Sequence, residues 1–396
     1  MNLRKLCLWL LPWYRVLGMY KIGSVSLSLL IFTPMLLVMV GSRRKLKVDK
    51  SLIFLYLVLM AVQFIQFFMP ENVASVTRNN MFMDTIFLLT IICAVNFVKL
   101  EELMKPYMFA CGIFIAGLFF HLFQLYVLKT SISPIALFPG LLSDENMVIE
   151  SYDKLRPMSF FSEPQAFATF ISIFLIIMLE EKKYLWAAVA TLSILLSTST
   201  EGLALVSIIW GVFVIFSKRS LTLKISVVVG ILGFAWLYMT STFFEIGYNK
   251  LVDTEFEDNL RLVNAYNMLR NFEINQWWLG VGVSDNTFYK AYIASMGGGE
   301  AFKFVSSGLG VVVHYGIFVG IAFWCFLLKK IVYRYKSVFI FSICLLVIPF
   351  AQSCFFSSNF VYIFVLYYLL LKYCAEKEAK KGLPTSKPSI NLIRRK

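Results

Sequence analysis

Two arginines stand in long polar stretches of an otherwise apolar chain, each just ahead of a predicted helix. Arg156 precedes a segment that begins at Pro164, and Arg261 lies near the start of a helix predicted over 256–274. A guanidinium stays charged and presents five donors in a fork, which matches the oxygens of a phosphate group. Both arginines are therefore candidate phosphate ligands, although surface arginines that contact lipid headgroups would occupy the same positions.

Acid–base and sugar-binding chemistry has fewer candidates. Glu163 stands at a predicted helix start, where the helix dipole favours its charge, and it is a candidate general base or ligand of a sugar hydroxyl. His314 lies inside a predicted span and is a second candidate for catalysis, because polar groups within membranes tend to be functional. For His314, as for His121, a hydrogen-bonded histidine inside the bundle is the alternative. Asp285 and Asn286 are candidate sugar ligands or turn residues.

Local sequence also predicts how two acidic residues are placed. Ser162 and Gln165 fit a capping box, with Pro164 in the first turn, so Glu163 should lie at the mouth of a helix. Asp84 lies near the end of its predicted span and could pair with one of the loop arginines.

The elements that carry these residues are predicted membrane spans. Hydrophobic residues make up 59% of the 396 residues and charged residues 15%, which is far from a soluble composition. A span needs roughly 20 apolar residues, and the sequence predicts eleven: 24–41, 51–69, 81–98, 104–128, 164–180, 184–198, 203–217, 223–241, 308–328, 338–352 and 354–373. Residues 1–21, interrupted by Pro12 and Arg15, form either an interfacial helix or a twelfth span. The predicted fold class is all-α: one polytopic transmembrane helix bundle over residues 1–396.

Charge and loop length predict the orientation of the bundle. Two long connections, 129–163 and 241–307, are separated by four predicted spans and so lie on the same side. The short connections on the other side are basic, as is the tail over 374–396, which places that side in the cytoplasm by the positive-inside rule. The net charge of +14 is mostly explained by this topology, and it gives no reason to expect nucleic-acid binding.

Several motifs of soluble enzymes are absent from the sequence. It contains no P-loop, no H-E-x-x-H zinc motif, no C-x-x-C pair and no G-x-S-x-G nucleophile elbow. No metal site is predicted, and no predicted cytoplasmic domain is large enough to bind a nucleotide sugar. A glycosyl donor, if there is one, should therefore be linked to a membrane lipid.

The order of four segments resembles the bacterial O-antigen polymerase and ligase superfamily, especially the repeat-unit polymerases called Wzy. The resemblance covers roughly residues 150–330 and the overall topology. The segments are Arg156 to Pro164, Ser197 to Gly202, Arg261 ahead of the Trp278–Gly282 run, and Ser306–Leu309 ahead of Tyr315–Ile317. Arg270 comes nearest to the Arg-x10-Gly spacing of these polymerases and is a third candidate for pyrophosphate binding.

This resemblance implies a metal-independent glycosyltransferase with a GT-C-like architecture and no cofactor. Such enzymes act at the outer, periplasmic face of the bacterial inner membrane. They transfer a growing O-antigen or capsule glycan from undecaprenyl pyrophosphate to the non-reducing end of a lipid-linked repeat unit, during lipopolysaccharide or polysaccharide biosynthesis. The implied partners are the lipid-linked oligosaccharide, membrane lipid and a polysaccharide chain-length regulator, and the loop arginines would hold the pyrophosphate.

Two alternatives remain open at the level of sequence. An O-antigen ligase of the same superfamily would carry a histidine just before the span with the Tyr-Gly-Ile segment, where this chain has Val305 and Ser306. A flippase or other secondary transporter would more often show two related halves and helices broken at the middle of the membrane. No such internal duplication is evident in the sequence.

Overall fold

The computed structural model describes residues 3–23, 25–41, 46–68, 74–128, 138, 140–141, 157–216, scattered positions between 222 and 240, 260–282, 306–332 and 334–380. These residues form an all-α bundle with a small antiparallel hairpin of β1 (Lys21–Ile22) and β2 (Val25–Ser26). The helices are α1 (Leu3–Leu10), α2 (Tyr14–Leu17), α3 (Leu27–Gly41), α4 (Lys50–Phe67), α5 (Ala74–Phe97), α6 (Leu100–Phe123), α7 (Pro164–Glu180), α8 (Tyr184–Leu196), α9 (Thr200–Ile215), α10 (Leu260–Arg270), α11 (Ile274–Leu279), α12 (Ser307–Leu328), α13 (Lys336–Ala351) and α14 (Ser358–Ala379).

Five described helices are long and apolar enough to cross a membrane, which agrees with the predicted all-α membrane class. They are Lys50–Phe67, Arg78–Phe97, Leu100–Leu128, Ser307–Leu328 and Ser358–Ala379. The helices α7, α8, α9 and α13 are apolar but shorter. Large apolar side chains such as Phe54 and Phe109 are exposed on the outside of the bundle, as expected of a surface that contacts lipid.

Most predicted spans coincide with helices, but some details differ. The scattered positions described between 222 and 240 are helical, and the rest of the predicted span 223–241 lies outside the described residues. The helix predicted over 256–274 is α10, followed by the separate short helix α11. The last helix continues beyond the predicted end at 373 to Ala379, because Arg334 and Glu180 pair with its last turns.

Charged residues concentrate at one end of the bundle, which we call the ion-pair end. It comprises the first residues of α1, α4, α6 and α13 and the last residues of α7, α12 and α14. The ion pairs there are Arg4–Glu102, Lys330–Asp49, Arg334–Glu378 (2.7 Å), Lys377–Glu180 (3.0 Å) and Lys380–Glu101 (3.7 Å). Because each pair joins two segments that are distant in sequence, these contacts fix the helix ends relative to one another.

The pair of Asp49 and Lys330 is the most buried of these contacts. Asp49 also caps α4 by accepting from Ser51 N (2.9 Å), and it accepts from the Tyr368 hydroxyl (2.5 Å). Burial alone would raise the pKa of Asp49, but the Lys330 ammonium and the donors from Tyr368 and Ser51 outweigh it and lower that pKa to about 2. For Lys330, burial has the larger effect: it outweighs the attraction of the Asp49 carboxylate and lowers the pKa of the Lys330 ammonium group. Three residues, Ser51, Lys330 and Tyr368, donate to the Asp49 carboxylate, which favours its charged form.

The N-terminal segment runs through the bundle alongside α6. Arg4 pairs with Glu102 at the ion-pair end, and the Trp13 ring packs on Phe114 further along α6, with centroids 4.8 Å apart. The later residue of the N-terminal segment, Trp13, contacts the later residue of α6, Phe114. The segment that contains α1 and α2 therefore runs parallel to α6. Of the two alternatives left by the sequence, this packing favours a segment within the bundle over one lying across its end.

At the opposite end of the bundle, which we call the recessed end, the described part of α6 extends further than the described parts of α7 and α14. The Phe114 ring packs against Phe161 and Phe170, near the start of α7, with centroids 5.3 and 5.1 Å apart. The Phe170 ring in turn stacks on Tyr362 in the first turns of α14, at 4.4 Å. Phe170 and Tyr362, in the first two turns of α7 and α14, therefore lie near the level of Phe114. The α6 helix continues beyond Phe114 as far as a π-helical turn that ends at Leu128, which is roughly 20 Å at 1.5 Å per residue.

Two turns lie at this end, and we call them the recess floor. The first connects α8 to α9 through Ser197, Thr198 and Ser199, which are 0, 5 and 3% exposed. The second connects α13 to α14 over residues 352–357. Each turn contains a non-glycine residue in the left-handed region, Thr198 (φ 56°) and Phe356 (φ 38°). Strained turns buried in an apolar bundle are unusual and tend to mark functional regions.

Candidate site at the recessed end

A buried carboxylate, Glu201, lies at the centre of the recess floor. It is 6% exposed. Its Oε1 atom accepts from the Thr169 hydroxyl (2.8 Å), and the Gln352 amide donates to Oε1 (3.0 Å) and Oε2 (2.8 Å). A buried carboxylate is costly unless hydrogen bonds compensate for the lost water. Here neutral hydroxyl and amide donors surround the carboxylate.

Local structure explains why these three side chains meet. Ser199 caps α9 by accepting from Gly202 N (3.1 Å), so Glu201 falls in the first turn, where the helix dipole favours its charge. Gln352 ends α13 in an extended conformation (φ −132°, ψ 154°), and its carbonyl accepts from Ser307 N (3.0 Å) at the start of α12. Four helix ends therefore converge on one polar cluster.

Arg15 lies near this cluster, at the same depth in the bundle. Its Nε is buried, and no hydrogen-bond partner for it is present among the described residues. The guanidinium interacts electrostatically with the Glu163 carboxylate and with Cys354, and Cys354 interacts in turn with Glu201. Thus the recess floor combines one arginine with two carboxylates. No metal-binding group of three His, Cys, Asp or Glu side chains is found among the described residues.

The helix α12 is broken beside the floor. Gly316 has φ 79° and ψ 178°, a conformation outside the helical region. The backbone of residues 281–282 follows the break, since Val281 N donates to Val313 O (2.8 Å) and Gly282 N donates to His314 O (3.1 Å). A Cβ atom on Gly280 would lie 2.5 Å from the His314 carbonyl carbon. Residues 280–282 therefore approach the backbone of α12 closely.

Two polar side chains hold this contact together. The Gln66 amide donates to the carbonyls of Leu279 and His314, at 2.5 and 2.9 Å. The His314 Nδ1 atom bonds to Gly282 O at 2.7 Å. A carbonyl oxygen only accepts, so Nδ1 carries the proton of a neutral His314, and Nε2 is the basic nitrogen.

The sequence-predicted residues are only partly among the described ones. Glu163 begins α7 and lies near Arg15, whereas His314 lies inside the bundle at the break in α12. Arg270 ends α10 and is exposed, and Arg261 lies in the same helix, although its side chain is outside the described set.

The remaining predicted ligands, Arg156, Asp285 and Asn286, lie outside the described residues. The pairing of Asp84 with a loop arginine stays a prediction for the same reason. Within the described set, the Asp84 carboxylate accepts from the Gln63 amide at 2.9 Å. His121 Nδ1 accepts from Met158 N at 3.4 Å.

The predicted capping box at Ser162 and Gln165 is wrong. The residue that precedes the first turn of α7 is Glu163, with φ −148° and ψ 150°, and no side chain caps the helix. Pro164 at the first helical position forces the residue before it into an extended conformation. The helix start is therefore set by the proline ring, not by reciprocal side-chain hydrogen bonds.

Sequence reasoning did not single out Glu201, Gln352, Arg15 or Gln66 as site residues. The available signal was an ionisable or amide side chain within or beside an apolar segment, which often marks a functional position in a membrane protein.

No protein-family model, curated protein or solved structure matches the chain.

Proposed function

We propose that this chain is an O-antigen or capsule repeat-unit polymerase that uses a lipid-linked glycan donor at the outer face of the bacterial inner membrane. The recessed polar floor supports this proposal most directly. It lies inside an apolar bundle, at the end opposite the ion-pair end, and helices α6 and α7, which the connection 129–163 joins, meet at that end. A lipid-linked sugar requires this combination of an apolar wall and a polar base.

The proposed reaction joins two glycans without a metal or nucleotide. The hydroxyl at the non-reducing end of the acceptor attacks the anomeric carbon of the donor sugar. The bond from that carbon to undecaprenyl pyrophosphate breaks, and the acceptor hydroxyl loses its proton to a base. Fixed positive charge on the departing pyrophosphate would stabilise the transition state.

The candidate residues divide into three roles under this proposal. Arg156, Arg261 and Arg270 would bind the pyrophosphate. Glu163, or His314 through Nε2, would accept the hydroxyl proton. Asp285 and Asn286 would contact sugars.

We assign two further groups to these roles. Arg15, whose Nε has no hydrogen-bond partner among the described residues, would bind an anionic oxygen, and the Glu201 cluster would bind sugar hydroxyls. Both lie at the depth that a lipid-linked substrate would reach from the recessed end.

A secondary transporter, such as a flippase for the same lipid-linked units, is the second candidate. The break in α12 at Gly316 favours it, because discontinuous helices and buried polar residues are typical of transporter binding sites.

Surface glycan from a deletion strain separates these functions. The strain is complemented with wild type, with Arg261→Ala or with Lys380→Ala, a matched loss of positive charge at the ion-pair end. A polymerase predicts a single repeat unit on the acceptor in the deletion strain, with the ladder restored by wild type and Lys380→Ala but not by Arg261→Ala. Loss of all surface repeat units would indicate a flippase, and long glycan left on the lipid carrier would indicate a ligase.

A further inference from the structure

Asp84 is a buried acid that the proposed reaction does not use. It lies within α5 and is 5% exposed. Its one hydrogen bond to a described residue comes from the Gln63 amide, at 2.9 Å to Oδ2. Among the described residues, no Lys, Arg or His lies within ion-pairing distance of the carboxylate. Glu201, by comparison, accepts from both a hydroxyl and an amide.

The described residues around Asp84 offer oxygen atoms but no positive charge. Gln63 is 1% exposed, and its Oε1 atom is buried without a hydrogen-bond partner among the described residues. Tyr315 of α12 is the titratable side chain that faces Asp84, and it also lies beside Gln63. Tyr56 bonds to the neighbouring Thr85 at 2.7 Å. These groups are all neutral at physiological pH.

An ionised Asp84 would therefore be an uncompensated buried charge. Such a charge costs several kcal/mol, more than one neutral amide donor offsets. A bound proton removes the charge and still allows Oδ2 to accept from the Gln63 amide. The protonated carboxyl group also gains an O–H donor, and the nearby Gln63 Oε1 atom is an acceptor without a described partner.

We propose that Asp84 is a proton-binding site of the folded bundle and that it holds its proton at neutral pH. The proton comes from and returns to water, so no other reactant is required. A sodium ion is a poorer fit, because a hard cation takes about six or more oxygen ligands, and the described residues that supply side-chain oxygens next to the carboxylate are Gln63 and Tyr315.

The proton site is connected to the break in α12. Gln63 lies three residues before Gln66, on the same face of α4, and Gln66 holds the carbonyls of Leu279 and His314. Tyr315 lies between His314 and the helix break at Gly316. Loss of the proton should therefore weaken the packing of residues 279–282 on α12. This inference does not depend on the proposed polymerase activity.

Infrared spectroscopy of the full-length protein in lipid nanodiscs tests the proposal. At neutral pH we expect a protonated-carboxyl band that is lost in Asp84→Asn and kept in Asp49→Asn, the matched acid in a salt bridge. Gln63→Met should shift the band to higher frequency, because the carboxyl carbonyl loses its hydrogen bond. Isotope labelling of aspartate carboxyl groups in the wild type assigns the band even where a variant fails to fold.

Thermal unfolding gives a second readout. A group that keeps its proton on folding stabilises the protein at low pH and loses that contribution as the pH rises through its titration. Wild type should therefore lose stability relative to Asp84→Asn as the pH is raised.

A protonated-carboxyl infrared band at neutral pH that is unchanged in Asp84→Asn would overturn the proposal. So would a band present in choline buffer and abolished by sodium, which would make the site a cation site.

Discussion

The two ends of the bundle bury acidic side chains in different ways. At the ion-pair end, the acidic residues that fasten the helices meet lysine or arginine, as Asp49 meets Lys330 and Glu180 meets Lys377. At the recessed end, Glu201 meets a hydroxyl and an amide, and the Nε of the nearby Arg15 has no described partner. Paired charges hold helix ends together, whereas at the recessed end neutral donors meet the carboxylate, and one guanidinium nitrogen has no described partner.

The two ends of the bundle also differ in backbone conformation. Left-handed non-glycine residues occur at both ends, at Lys182 after the last turn of α7 and at Thr198 and Phe356 in the recess floor. The break at Gly316, within a described helix, lies on the side of the recessed end. The difference supports the proposal that binding or chemistry takes place at the recessed end.

The largest effect on stability should come from Gly316→Ala. An added Cβ would overlap the Trp278 carbonyl, and a φ of 79° with ψ of 178° is nearly confined to glycine. We expect a loss of at least about 3 kcal/mol in the free energy of unfolding, measured by thermal unfolding in detergent. Gly211→Ala is the control, since its Cβ would meet nothing within 4 Å; equal melting of the two variants would rule out a functional break in α12.

At the ion-pair end, Lys330→Ala should be the most damaging substitution. It leaves the Asp49 carboxylate charged and largely buried, which costs about 3 kcal/mol or more. Lys380→Ala removes a pair whose lysine side chain is 73% exposed, and it should cost no more than about 1 kcal/mol. Similar thermal shifts for the two variants would show that burial does not set the strength of these pairs.

The same pair predicts a loss of stability in acid. Because the pKa of Asp49 falls from 3.8 to about 2 on folding, its contribution is present above pH 3.8 and is lost as the pH falls toward 2. The contribution is about 2 kcal/mol. The difference in melting temperature between wild type and Asp49→Asn, measured across this range, should shrink as the pH falls; a constant difference would contradict the prediction.

A smaller effect is expected for Gln66→Leu. The substitution leaves the carbonyls of Leu279 and His314 without their amide donor, at a cost of about 1–3 kcal/mol. Hydrogen exchange should accelerate at the amides of residues 280–282 but not in α14, where no contact is changed. Unchanged exchange at 280–282 would show that Gln66 does not hold this segment.

The sequence predicted the helices better than their ends. α7 matches the predicted span 164–180 because a long apolar run is bounded by Pro164 and by charged residues after Glu180. The break at Gly316 was not predicted, because the apolar run continues through it and glycine is common in membrane helices. The recess was not predicted either, because it depends on how far each helix rises relative to α6.

The candidate site was harder to predict than the fold. Glu201 was visible in a serine-rich turn, but its burial depends on Gln352, which lies 151 positions further along the chain. Arg15 appeared as an interruption in an apolar stretch, and only the packing of α1 and α2 along α6 brings it to the recess floor. Such contacts between distant segments are not encoded in local spacing.

The most direct test of the difference between the two ends is polymerisation by the purified protein in nanodiscs, given undecaprenyl-pyrophosphate-linked repeat units. We compare wild type, Glu201→Gln and the double variant Asp49→Asn/Lys330→Met, with folding checked by size-exclusion chromatography. Our account predicts that Glu201→Gln remains folded but loses about 100-fold or more of the glycan ladder, whereas the double variant keeps it. A ladder that survives Glu201→Gln and disappears in a folded double variant would contradict the account.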